Sequence, residues 1–62
     1  MDIEAETTII NEFVSKGNYH AAMNIAISAM NECRRDNQQA GVNHFLNVIK
    51  NIADTMMQEF SA

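Results

Sequence analysis

Apolar residues recur at every third or fourth position through the last third of this 62-residue chain. That alternation places side chains on one face of an α-helix and is typical of helices that pack against a similar helix. The face consists of Val42, Phe45, Leu46, Ile49, Ile52, Ala53, Met56 and Phe60, which we call the apolar seam. The opposite stripe is polar and consists of Asn43, Asn47, Asn51, Asp54 and Gln58. The pattern predicts an amphipathic helix over about residues 39–60.

The first part of the chain carries the signals of a shorter helix, over about residues 3–16. Asp2 suits the N-cap position, and Gly17 stands where a helix C-terminus favours glycine. The early glutamates face the positive end of the helix dipole. The apolar face of this helix is expected to consist of Ile9, Ile10, Phe13 and Val14.

A second helix is predicted over about residues 18–35, with Asn18 as its cap. At about 100° per residue, one broad face collects Tyr19, Ala22, Met23, Ala26, Ala29, Met30 and Cys33. Ile25 and Ile27 fall on opposite flanks of that face, about 200° apart. We therefore expect this helix to be covered from more than one side.

The polar segment 36–39 separates the second and third helices. It favours a short turn, although a continuous helix that merges both segments is the alternative. The chain contains no proline, so no residue interrupts the helical periodicity. The sequence thus predicts an all-α fold of three short helices in a single domain over residues 1–62.

Two features predict a homodimer. A chain this short is marginal alone, and Cys33 is its only cysteine, so a disulfide within the chain cannot stabilise it. In addition, more apolar residues flank the predicted faces than one small bundle covers, namely Ile25, Ile27, Val48 and Met57. We expect the apolar seam to form the centre of a shared core. The alternative is a monomer in which these flanking residues are simply exposed.

The charge of the chain argues against nucleic-acid binding. Its formal net charge is −4, and its only basic residues are Lys16, Arg34, Arg35 and Lys50. Neutralising a run of phosphates takes a cluster of cations. A transcriptional regulator that contacts DNA through Arg34 and Arg35 remains the alternative function.

No catalytic or metal site is predicted. The soft metal ligands His20, Cys33 and His44 lie on different predicted helices or faces, without the close spacings of a zinc site. The hydroxyl residues have no sequence context that places a base beside them; these are Thr7, Thr8, Ser15 and Ser28. We therefore expect no enzymatic activity and no cofactor.

Protein–protein interaction is the function that these exclusions favour, with an unidentified protein partner. The candidate binding residues are Asn43, Asn47 and Asn51 on the polar stripe, and Arg34 and Arg35 at the second turn. No apolar run is long enough for a membrane span, and the N-terminus does not resemble a signal peptide. Together with the single thiol, this predicts a cytoplasmic protein.

Residues 17–22, Gly-Asn-Tyr-His-Ala-Ala, followed by Ala29, resemble the middle of a tetratricopeptide repeat, with Ile9 and Phe13 near its first-helix positions. The chain departs from the repeat at Ile10, where a small residue is expected, and at Arg34, where the closing proline is expected. A repeat also needs stacked neighbours to bury its apolar face. This resemblance implies, as a further alternative, a solitary adaptor.

Most of the chain also resembles the small early proteins encoded between the exonuclease and excisionase genes of lambdoid and Shiga-toxin bacteriophages. The resemblance lies in residues 7–11, Thr-Thr-Ile-Ile-Asn, and residues 40–45, Ala-Gly-Val-Asn-His-Phe. It implies a phage regulator that acts in the bacterial cytoplasm on the choice between lysis and lysogeny. Such a regulator is expected to engage host or phage proteins. The resemblance transfers no catalytic or binding residues.

Overall fold

A computed structural model describes residues 1–60, which form three α-helices joined by short turns. Helix α1 spans Ile3–Ser15, α2 spans Tyr19–Arg35 and α3 spans Gln39–Phe60. The predicted all-α class and the three helix positions are confirmed. The segment after Arg35 is a turn, so the alternative of one continuous helix through residues 36–39 is wrong.

Local capping explains where the first two helices begin. The Asp2 carboxylate accepts a hydrogen bond from the Ala5 backbone N–H at 3.1 Å, and the Asn18 side chain accepts one from the Ala21 N–H at 3.3 Å. Each cap satisfies a backbone donor that has no partner within its helix. Both predicted N-caps are confirmed.

Both turns have the same backbone geometry, a Schellman motif. At the end of α1, Gly17 takes a left-handed φ of 75°, and the Asn18 N–H bonds back to the Phe13 carbonyl at 2.9 Å. At the end of α2, Asn37 takes the same role with φ of 57°, and the Gln38 N–H bonds to the Cys33 carbonyl at 2.8 Å. Asparagine tolerates the left-handed region better than most residues. This is why the second turn forms without glycine.

Helix α2 packs against both other helices, and α2 and α3 form an antiparallel hairpin. The Tyr19 hydroxyl, at the start of α2, reaches the Glu59 carboxylate near the end of α3 at 3.3 Å. At the opposite end, Gly41 lies against Cys33 and Ile3. Helix α1 therefore starts beside the beginning of α3 and runs in the same direction. The described chain is elongated, with extents of 40 × 17 × 14 Å.

The core is small and entirely apolar within residues 1–60. Helix α2 contributes mainly small residues to it, which allow its two neighbours to approach closely. The buried residues are Ile10, Ala22, Ala26, Ala29, Cys33, Phe45 and Ile52. Phe45 has the largest of the fully buried side chains and is placed by α3 among residues of the other helices.

The flanking isoleucines of α2 end up in different environments. Ile25 is half-buried and lines a groove beside Met1 and Glu6 of the α1 segment. Ile27 lies on the other flank and remains 39% exposed. Helix α2 is thus covered by two neighbours, as predicted, yet the cover does not extend to Ile27.

Candidate interaction surface

Helix α1 covers one side of the α2–α3 hairpin. Its Thr7 hydroxyl lies 2.8 Å from the His44 ring nitrogen Nε2 on α3. Further along, Asn11 and Val14 line a narrow cleft with Val48, Asn51 and Thr55 of α3. On α3, the residues at this cleft lie on the flank that points away from Val42 and Leu46. The side of the hairpin that bears Val42 and Leu46 therefore has no covering helix.

The uncovered side of the hairpin is mainly apolar, with Arg34 and Lys50 at its margins, and we call it the open face. Four large side chains on it are exposed to solvent: Ile27 by 39%, Leu46 by 48%, Met57 by 71% and Phe60 by 76%. Half-buried residues form its base, namely Met23 and Met30 on α2 and Val42, Ile49, Ala53 and Met56 on α3. Helical periodicity places all of them on the same side of the antiparallel pair.

The apolar seam is divided between the core and the open face. Phe45 and Ile52 are buried inside the single chain, at 0% and 3% exposure. The other six seam residues lie on the open face. Phe60 and the flanking residue Met57 are exposed because they lie on the side of α3 that α1 does not cover. Val48 lies on the other flank and is half-buried beside α1.

The asparagine stripe lies on the solvent side of α3. Asn43, Asn47 and Asn51 are all exposed. The Asn43 side-chain oxygen accepts a hydrogen bond from the Gln39 amide at 3.0 Å, one turn earlier. The stripe is therefore a surface separate from the open face and available to a second partner.

Arg34 and Arg35 are exposed in the last turn of α2. This position favours cations because helix C-termini carry partial negative charge. Acidic residues flank the pair on both sides in the chain, Glu32 before it and Asp36 after it. The segment 32–36 therefore has no net formal charge.

One hydroxyl does have a histidine beside it, contrary to the expectation from sequence. Thr7 and His44 come together because α1 and α3 run side by side, which residue spacing along the chain could not reveal. The Thr7 hydroxyl donates to the Ile3 carbonyl at 2.7 Å, and its oxygen also lies within hydrogen-bond distance of His44 Nε2, at 2.8 Å. The contact joins α1 to α3.

The serine and other threonine hydroxyls that form hydrogen bonds bond to carbonyl groups of their own helices. Thr8 donates to the Glu4 carbonyl at 3.0 Å, and Ser15 donates to the Glu12 carbonyl at 2.9 Å. Within residues 1–60, no three acidic, histidine or cysteine side chains are grouped so as to hold a metal ion. In the same range, no helix combines the length and hydrophobicity that crossing a bilayer requires.

Comparisons of the chain with protein-family models, with curated proteins and with solved structures found no match. The open face is therefore interpreted from its own geometry.

The contact between Tyr19 and Glu59 at the end of the hairpin gives a direct test of the helix arrangement. Partial burial raises the pKa of the Tyr19 phenol above its ordinary value of 10.0, and the Glu59 carboxylate raises it further through its charge and by accepting the phenol hydrogen bond. Replacing Glu59 with glutamine removes the charge that opposes tyrosinate formation. We expect the Tyr19 pKa to fall toward 10.0 in this variant.

Ultraviolet titration measures that pKa without ambiguity, because Tyr19 is the only tyrosine in the chain. Glu4→Gln, which changes an exposed carboxylate in the first turn of α1, is the matched control and should leave the titration unchanged. Equal curves for the wild-type protein and Glu59→Gln would contradict the antiparallel contact.

Proposed function

We propose that this chain is a small helical interaction protein that works as a homodimer and acts as a phage developmental regulator through a protein partner. The observation that carries the proposal is the open face, where four large apolar side chains are exposed on one side of the hairpin. Isolated exposed apolar residues are normal on protein surfaces, but a contiguous group marks an interaction site. The regulatory role is supported by the resemblance of the chain to the phage early proteins.

The size of the open face suits a second copy of the chain. A large apolar side chain presents about 150–200 Å² when fully exposed, so the exposed fractions of these four residues leave about 400 Å² open on each copy. The half-buried residues at its base add to this area. The four exposed side chains of two copies together contribute about 800 Å², and the half-buried residues bring the total closer to the ~1,200 Å² at which stable interfaces begin. Self-association would also relieve the marginal stability of a chain this short.

The proposed dimer leaves the polar surfaces free for the protein partner. The asparagine stripe lies on another side of α3, and the Arg34–Arg35 pair lies in the last turn of α2, away from the centre of the open face. A twofold dimer presents each of these surfaces twice. The partner would then be bound by uncharged amides or by arginines, while the apolar residues hold the two copies together.

A charge on the open face tests the proposal. Leu46→Asp is expected to weaken dimerisation by more than about 30-fold, because the carboxylate would be buried in each of two symmetric positions. The fold should persist, since Leu46 is 48% exposed in the single chain. Sedimentation equilibrium at tens of micromolar should give twice the 7.0 kDa chain mass for the wild-type protein and about the chain mass for the variant.

Asn47→Asp is the matched control, because it introduces the same charge one residue away on the exposed polar stripe. It should remain dimeric, and circular dichroism should show equal helix content in both variants. The same two variants test the regulatory role in a phage that carries the gene. Leu46→Asp should shift the frequency of lysogeny as a stop codon does, because the dimer is lost. A shift caused by Asn47→Asp, which keeps the dimer, would instead assign the partner contact to the asparagine stripe. A monomeric wild-type protein would overturn the proposal of a homodimer.

A further inference from the structure

Six of the seven open-face residues of α3, all except Met57, have a spacing that reads the same from both ends of the helix. The intervals between successive residues are four, three, four, three and four for Val42, Leu46, Ile49, Ala53, Met56 and Phe60. A spacing of this kind lets two copies of α3 pair while running in opposite directions, with every residue in register. The midpoint of the row lies at residue 51.

We infer that the second copy docks on the open face with its α3 antiparallel to the first. The twofold axis lies at the level of residue 51 along α3. This inference rests on the proposed homodimer and specifies its interface. Each residue of the row then faces a residue of the partner's row, and the two residue numbers add to 102. We call each such pair a layer. Val42 faces the partner's Phe60, Leu46 faces the partner's Met56, and Ile49 faces the partner's Ala53.

Side-chain volumes favour this pairing over the parallel one. The antiparallel layers set the largest residue, Phe60, against the smaller Val42, and the smallest residue, Ala53, against Ile49. A parallel dimer would instead place Phe60 against its own copy and Ala53 against its own copy. One layer would then be overfilled and another would leave a cavity, and both defects destabilise a packed interface.

Helix α2 completes the interface near the axis. Ile27 lies near the middle of α2, and the antiparallel hairpin brings it to the level of the middle of α3. It is on the same side as the exposed residues of α3 and is itself 39% exposed. Two hairpins related by the axis would therefore form a four-helix arrangement, with α1 of each copy on the outside and the asparagine stripe facing solvent.

Disulfide trapping between two single-substitution proteins tests the register. Positions 42 and 60 are about 27 Å apart along one helix at 1.5 Å per residue, and only antiparallel pairing brings one copy's position 42 to the other copy's position 60. Val42→Cys and Phe60→Cys proteins are mixed in equal amounts and oxidised with glutathione disulfide. The native thiol of Cys33 is fully buried and stays in both proteins.

The disulfide between the two different variants should dominate, and its yield should exceed that of Asn47→Cys alone by about tenfold or more, since paired positions have millimolar effective concentrations. Asn47→Cys lies on the exposed polar stripe and measures trapping by collision. Intact-mass analysis without reductant counts each product. Sedimentation of the unoxidised proteins is run in parallel.

Each other outcome overturns the inference in a distinguishable way. Dominant disulfides between two Phe60→Cys chains, with a dimeric mass, would mean that the copies pair in parallel, while the proposed homodimer stands. A dimeric mass with no trapping above the Asn47→Cys level would place the dimer contact on another face. A monomeric mass for the wild-type protein would overturn both this inference and the proposed homodimer.

Discussion

Replacing Phe45 with alanine is expected to cause the largest loss of stability of any single truncation to alanine in the core. Phe45 is fully buried and is the largest such side chain among residues 1–60, and its ring meets the His44 ring edge-on at 5.0 Å between centroids. Removing a buried phenylalanine costs about 3–5 kcal/mol. A chain of this size has a total free energy of unfolding of about 3–9 kcal/mol. The loss therefore takes at least about a third of the available stability.

Urea unfolding followed by circular dichroism measures this effect, at a fixed protein concentration because the proposed dimer would contribute to stability. Ile9→Ala is the matched control. It also truncates a large apolar residue, but Ile9 is 41% exposed on α1 and lies outside the open face. The control should lose about 1 kcal/mol or less. If the two variants lose equal stability, Phe45 is not the centre of the core.

Replacing Gly41 with alanine is expected to destabilise the fold, although alanine favours helix formation. Gly41 is buried where the start of α3 meets the end of α2. A Cβ at this position would lie 2.5 Å from the Cys33 sulfur and 3.2 Å from Ile3 Cδ1. Overpacking of this kind costs about 1–3 kcal/mol or more. It outweighs the gain of about 1 kcal/mol in helix propensity.

A double-mutant cycle with Cys33→Ala isolates that clash, because the cysteine substitution removes the sulfur that the new Cβ would meet. The Gly41→Ala change should cost less in the Cys33→Ala background than in the wild-type protein. Gly17→Ala is the control: Gly17 has φ of 75°, and a Cβ added there would meet no atom within 4 Å, so its cost comes from the backbone alone. The Cys33→Ala change should not alter that cost. Additive effects for Gly41 and Cys33 would refute the close contact.

Local chemistry accounts for the parts of the fold that could be predicted. Asp2 and Asn18 begin their helices because each supplies an oxygen to a free backbone N–H, which is an interaction within four residues. Gly17 ends α1 because glycine accepts a positive φ without steric cost. Asn37 has the same role at the end of α2, but an asparagine in a polar segment does not by itself indicate a positive φ. Polarity therefore predicts the second turn but not its backbone geometry.

The candidate surface could be predicted only as a set of residues. Periodicity identifies the apolar seam correctly as one broad stripe of α3, but it treats Phe45 and Leu46 as equivalent members. In the structure Phe45 is fully buried and Leu46 is 48% exposed. Adjacent residues on a wide stripe differ by about 100° in direction. The stripe alone does not show which part of this arc the other helices of the chain cover.

The contacts between helices were not predictable from spacing. In the sequence, Gly41 resembles any glycine in the first turn of a helix. In the structure, the Cys33 sulfur of α2 occupies the space that a side chain at Gly41 would need. Thr7 and His44 are 37 residues apart and meet because α1 lies alongside α3. Both contacts depend on the docking of separate helices.

The sequence by itself determined that this chain is helical, where α1 begins and ends, where α2 begins, and which stripe of each helix is apolar, because these properties arise within one or two helical turns. Only the structure decided that α2 ends at Arg35 in a turn, and that α1 covers one side of the α2–α3 hairpin and leaves the other side open. Which side is covered depends on the flank of the small-residue face of α2 that α1 occupies. The apolar row of six residues on α3 therefore became a candidate interface only once the covered side was known.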